Sequence, residues 1–288
     1  MKKTAVSVLI ILFAASACSP LNAVPQNDQS SISTVVAATM QALSPTQVAS
    51  TEVSPTQTTQ PSGISINFEN INIIIPDKLA SGATSEKFPA DPVGTVGGGW
   101  SAYTSFTLNS YPLQGTMMPP VIRIFLAEEF RLRDPIVNEQ MDNLKSILSN
   151  PSNSLDNLPV LPIQFAARHF QSQEQVINFQ NGSGIRYLTQ FDQYPAIVSN
   201  QEMFYIFMGL SQDGKYFISA YLPTSAAFLP ADSNPQTALP VDGIPYPSNN
   251  EVNIYYSTIA EKLNGTDPST FNPALPVLDA LIQSILIK

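Results

Sequence analysis

The sequence predicts an α+β fold: an antiparallel β-sheet, built as a hairpin meander, with helices packed on its faces. Three observations predict it. First, apolar runs come in two successive pairs, 176–179 with 185–191 and 202–210 with 216–222. Each pair is joined by a glycine-bearing turn, Asn181-Gly182-Ser183-Gly184 and then Asp213-Gly214. Asn-Gly and Asp-Gly between such runs are strong hairpin signals. Second, Met203-Phe204-Tyr205-Ile206-Phe207-Met208 is apolar at every position, so as a strand it needs cover on both sides. Third, two later stretches can supply that cover. Val252, Tyr255, Ile259 and Leu263 form one apolar stripe, and Val277, Leu278, Leu281, Ile282 and Ile285 form another.

Residues 1–17 have the three parts of an export signal. Lys2 and Lys3 give a positive start, and an uncharged apolar run follows from Ala5 to Ala17. That run is about 13 residues long, whereas a helix crossing a ~30 Å hydrocarbon core needs about 20. It ends in Ala15-Ser16-Ala17-Cys18. This resembles the lipobox of bacterial lipoproteins, in which small residues precede the cysteine that takes lipid, although Ala15 stands where leucine is more usual. The resemblance implies cleavage before Cys18 and lipid attachment at Cys18. It also implies anchorage in the cell membrane or outer membrane, facing outside the cytoplasm. The alternative is an ordinary secretory peptide with Cys18 a bystander. Cys18 is the only cysteine in the chain, and a single cysteine in an exported protein needs a use.

Loss of the signal removes two lysines. Eleven basic residues then face 22 acidic ones, a formal charge near −11. Such a surface repels nucleic acid and anionic headgroups, so no nucleic-acid partner is expected.

Residues 18–62 read as a lipid-anchored disordered linker. Asp28 and Glu52 are the charged residues there, and Ser44-Pro45-Thr46-Gln47 recurs as Ser54-Pro55-Thr56-Gln57. Its apolar content is too small to offset the entropy of ordering. A flexible chain of this length spans roughly 35–40 Å.

The α+β extracytoplasmic domain is expected over 63–288. Alternation from Ile64 onward predicts a half-buried strand whose end, Ile73-Ile74-Ile75, is more deeply buried, with Pro76 as its stop. Residues 80–120 read as loop with one or two short strands around 103–108. Residues 121–126 predict a further strand. Pro135, preceded by Asp134 as N-cap, opens a helix to about Leu148 that Asn150-Pro151 ends. In the C-terminal part, Gly265 is a helix C-cap candidate and Asp267-Pro268 a restart.

The runs FQNGSGIRYLTQ, MFYIFMGL and DGKYFISAYLP, followed by a final amphipathic helix, are similar to a group of uncharacterised bacterial lipoproteins with Ser/Thr/Pro-rich tethers. More distantly, hairpin strands closed by a helix ending in Ile285-Leu286-Ile287 resemble the sandwich of the PsbP-like proteins. Neither resemblance implies a catalytic or ligand residue here.

No catalytic, cofactor or metal residue is marked by the sequence. His169 is the only histidine, and zinc sites almost always need two or more His or Cys ligands. It is expected to be structural or exposed. Ser183 lacks the outer glycines of a G-x-S-x-G elbow and is read as part of a turn. Asn181 and Asn264 open glycosylation-like triplets that a bacterial chain usually ignores. Glu128-Glu129 is expected on a solvated loop, because adjacent carboxylates diverge. Gly97-Gly98-Gly99-Trp100 reads as a permissive loop with Trp100 packed in the core. Met117-Met118-Pro119-Pro120 is expected to be buried; exposed, it would be a docking patch.

These observations lead to a non-enzymatic binding or accessory module that reaches the membrane through lipid on Cys18. Its expected partner is an envelope protein or a small solute, with no cofactor. The alternatives are an extracellular hydrolase using carboxylates that the sequence does not pair, and a small-solute or lipid carrier with an apolar cavity.

Overall fold

The computed structural model describes residues 62–288 except 93, 94, 96–98, 151–154, 156, 157, 249 and 250. All of them belong to one compact unit, Thr58–Lys288. The signal, Cys18 and the expected linker before residue 62 lie outside the described residues, as do Gly97, Gly98 and Pro151.

The predicted meander is present. Strands β7 (Ser172–Phe179), β8 (Gly182–Thr189), β10 (Phe204–Ser211) and β11 (Tyr216–Pro223) lie side by side in that order. All of their pairings are antiparallel. The sheet then continues through β5 (Val121–Leu126) and β4 (Tyr103–Asn109) to β3 (Gly82–Phe88), seven strands in all. Finding β3 corrects the expectation of a mainly looped region over 80–120. Its sequence, Gly-Ala-Thr-Ser-Glu-Lys-Phe, has little apolar content because the strand is a largely exposed edge.

The first hairpin turn sits one residue earlier than the Asn-Gly signal suggested. Phe179 pairs with Gly182, so Gln180 and Asn181 form the turn and Ser183 lies in strand β8. Gly182 and Gly184 serve the packing. A Cβ on Gly184 would lie 2.3 Å from Met208 O and 2.4 Å from the Phe207 ring, and one on Gly182 would lie 2.2 Å from the Phe179 ring.

The N-terminal alternation also folds differently. The run from Ile64 to Ile75 is two strands, β1 (Gly63–Phe68) and β2 (Ile71–Pro76), which pair across Glu69-Asn70. Glu69 takes φ 55°, the left-handed geometry of a tight turn. Two polar residues in a turn fit the alternating pattern, so the pattern alone does not reveal the reversal. The partner of β2 on its other edge is β12 (Leu286–Ile287). This corrects the expectation of a helix ending in Ile285-Leu286-Ile287: the helix stops at Gln283, and the chain turns through Ser284 to pair with β2.

β10 is covered on both faces, as predicted. Tyr205 and Phe207 enter one core with helices α3 (Val252–Asn264) and α4 (Leu275–Gln283) and strand β2. Phe204, Ile206 and Met208 enter a second core with α1 (Ala127–Arg131) and α2 (Pro135–Ser149). Asp134 caps α2 by accepting from Ile136 N at 2.7 Å. The short helix α1 holds Glu128 and Glu129, both exposed, on a helix rather than on the expected loop. α3 ends at Gly265, which keeps right-handed helical angles. No helix among the described residues is long and apolar enough to cross a membrane.

Candidate functional site

The chain between β8 and β10 builds a polar cluster at one end of the sheet. Strand β6 (Ala167–Arg168) pairs with β9 (Phe191–Asp192), and His169 N donates to Gln190 O at 3.1 Å. This brings His169 to Asp192: Nε2 lies 3.1 Å from Oδ2, without hydrogen-bond alignment, and the His169 side chain is 7% exposed. Its ring stacks on Tyr256 at 4.5 Å between centroids. The only histidine is therefore buried beside a carboxylate.

Gln190 is the centre of the cluster. Its Nε2 lies 2.8 Å from both Asp192 Oδ2 and Glu202 Oε2, and 3.0 Å from Ile197 O. The two carboxylate oxygens are therefore no farther apart than twice 2.8 Å. Ser233 Oγ donates to the other oxygen of Glu202 at 2.9 Å. Burial raises the Glu202 pKa above its ordinary value; the Ser233 hydrogen bond opposes this and the charge of Asp192 adds to it. Among the described residues Glu202 makes no ion pair.

Helix α3 holds the loop that follows Asp192. The Tyr256 hydroxyl accepts from Ala196 N at 2.8 Å and donates to Ala196 O at 2.9 Å, and the Tyr255 hydroxyl accepts from Val198 N at 3.0 Å. Burial pushes the Tyr255 hydroxyl up to about 12. Two adjoining cavities flank this loop. One, of about 590 Å³, is lined by Asp192, Glu202, Ser233, Tyr194, Tyr246 and several prolines, with no Lys, Arg or His among its lining residues. The other, of about 450 Å³, is lined by Met117, Met118, Phe165, Phe191 and Phe204. Asp192 and Tyr194 line both.

The chain matches no protein-family model, no curated protein and no solved structure.

The residues singled out in the sequence scatter. Met117 is 57% exposed and Met118 half-buried, so the expected burial of that loop is corrected. The loop forms a cavity wall because Met117 N donates to Gln201 O at 3.0 Å, next to Glu202. Trp100 is partly buried against Tyr103 and Phe125, with the Arg123 guanidinium 4.9 Å from its ring. It also lines a cavity of about 190 Å³, which shares Phe165 with the apolar one. Asn181 and Asn264 use their side chains internally, Asn181 on Ile287 O at 2.5 Å and Asn264 on Gln173 N at 2.6 Å. Sequence reasoning missed Asp192, Glu202, Gln190 and Tyr194. Asp192 and Glu202 are ten positions apart with no recognisable spacing, and only the pairing of β6 with β9 and the turn before β10 bring them together. No group of three or more His, Cys, Asp or Glu among the described residues is placed to hold a metal ion.

Proposed function

We propose that this chain is a membrane-anchored extracytoplasmic lipoprotein acting as a non-enzymatic binding module, with lipid on Cys18 as the anchor. Its ligand is a small solute, received where the two cavities meet. The observation that carries this reading is the pair of adjoining cavities divided by Tyr194, which is 72% exposed. Concave sites lined by aromatic and apolar groups with a few convergent polar ones are the usual form of ligand sites. The lipobox-like run Ala15-Ser16-Ala17-Cys18 after an uncharged apolar stretch supports the anchor.

One observation favours hydrolysis instead. Asp192 and Glu202 bring carboxylate oxygens to the same amide nitrogen, within 2.8 Å each of Gln190 Nε2, and glycosidases use two nearby carboxylates. Two features weigh against it. The facing oxygen of each carboxylate is held by Gln190, and Asp192 is only 9% exposed. A proton-transfer group needs an oxygen within hydrogen-bond reach of the substrate, and here both of these oxygens already bond Gln190.

A thermal-shift screen of small solutes tests the binding reading. A solute at 100 times its Kd stabilises by about 2.7 kcal/mol, and Tyr194→Ala should reduce that gain. Turnover of chromogenic glycosides or peptides that disappears in Glu202→Gln would replace binding by hydrolysis. The anchor is tested separately: Cys18→Ser should move the protein out of the detergent phase or leave it as precursor, because only the thiol forms the thioether. Unchanged partition would remove the lipoprotein reading.

A further inference from the structure

The two cavities differ in chemistry, and the difference specifies a ligand. The larger has two carboxylates on its wall and no cationic lining residue. Asp192 has His169 beside it at 3.1 Å, but Glu202 has no ion-pair partner among the described residues. Each Glu202 oxygen accepts one hydrogen bond within the protein, from Gln190 and from Ser233. A carboxylate offers about four acceptor positions, so capacity remains for a donor from outside. Tyr194 and Tyr246 border the same space, and tyrosine ring faces attract cations.

The smaller cavity gives a second, independent indication of a ligand. Met117 at 57% exposed and Phe165 at 68% stand around an apolar hollow floored by Phe191 and Phe204. Large apolar side chains left exposed around a concavity mark a binding groove. Tyr194 and Asp192 belong to both hollows, so one molecule can span them.

Resting on the binding reading above, we infer that the joined cavities take an organic cation with an apolar body. Its ammonium group lies at Glu202 and Asp192, and its aromatic or alkyl part lies against Met117, Phe165 and Phe204. The overall charge of −9 draws such a ligand toward the protein at low salt. Glu202 and Asp192 supply selectivity for charge, and the apolar hollow supplies selectivity for shape.

The test uses the full chain, produced without lipid, and three probes of one shape: 2-phenylethylamine, phenylacetate and 2-phenylethanol. Binding is read by calorimetry and by the NMR signals of the probes. The amine should bind at least about tenfold more tightly than the acid, the scale of one charged hydrogen bond. Glu202→Gln should remove most of that preference. Tyr194→Ala, at an exposed position that leaves the core intact, should weaken the amine severalfold. Phe165→Ala should weaken the amine and the alcohol together. Equal affinity for amine and acid would overturn the cation assignment and leave the binding reading standing. No binding by any of the three probes would overturn the assignment of a cation with an apolar body, while the thermal-shift screen decides the binding reading itself.

Discussion

Gln190 shows how one neutral side chain can set the character of a site. Its amide group stands between two carboxylates, and its Oε1 accepts from Ser199 N at 3.1 Å. The residue is fully buried, so nothing replaces these bonds when it is truncated. Gln190→Leu should cost about 2–4 kcal/mol by leaving several groups without a partner, measured by chemical denaturation. A loss under about 0.5 kcal/mol would mean that water already serves these groups. Glu202 makes a second prediction, in pH. Its folded pKa lies above the ordinary 4.5 because burial disfavours the charge. A raised carboxylate contributes stability below its unfolded pKa and loses it as pH rises through the folded value. Glu202→Gln does not titrate, so the variant should gain on the parent as pH rises from about 4.5 toward neutrality. Denaturation midpoints of both proteins across that range decide it, and a constant difference would contradict the assignment.

At the scale of the element, β10 carries the most consequence. Its side chains divide between two cores, with Phe204 on the α1–α2 side and Phe207 on the α3–α4 side. Both are buried. Phe→Ala at such sites costs about 3–5 kcal/mol, against a total of about 5–15 for a domain. Phe204→Ala and Phe207→Ala should therefore both be severely destabilising although they point opposite ways. A marked loss for one alone, in urea denaturation of the full chain, would mean that one face is not packed. Along the same face, Phe207 also explains the glycines. Its ring fills the space where Gly184 and Gly209 would carry a Cβ, which lies within 2.4 Å and 2.7 Å of it. An aromatic residue in a central strand and glycines on neighbouring positions are one packing solution.

At the scale of the molecule, the two ends of the described chain close the fold together. β2 pairs with β12, Lys288 N donates to Asn70 O at 2.7 Å, and Ser284 Oγ bonds both Ile74 N and Ile74 O. A buried polar group ties the same layer to the main sheet. Tyr205 OH donates to Asp279 Oδ1 at 2.9 Å, and Arg186 Nε lies 3.4 Å from the same oxygen. Deleting residues 285–288 removes the buried Ile285 and Ile287 and should cost about 3–6 kcal/mol at about 1.5–3 per side chain. Thermal unfolding of the full and shortened chains measures it. Little change would mean that the β1–β2 hairpin holds without its third strand.

The elements legible in the sequence are those whose signal is local. The meander, the doubly covered β10, the capped helix at Pro135 and the late amphipathic helices follow from patterns within about fifteen residues, because burial on a strand or helix face imposes its own period. The β1–β2 reversal and the shifted turn at Gln180 were not legible. A polar turn residue fits an alternating pattern, and a glycine required by a distant ring looks the same as one required by a turn. The candidate site lies wholly beyond local reading. His169, Gln190, Asp192, Glu202 and Ser233 meet only because β6 pairs with β9 and α3 holds the loop between β9 and β10. An isolated Asp or Glu carries no mark of its future neighbours. The hairpin strands, the helix capped at Asp134 and the two late apolar stripes were already written in the sequence, whereas β3, α1 and β12 were not. The first eighteen residues carry the motif read as a lipid anchor. That two carboxylates and an apolar hollow share a wall follows from contacts between residues far apart in the chain, which no local pattern encodes.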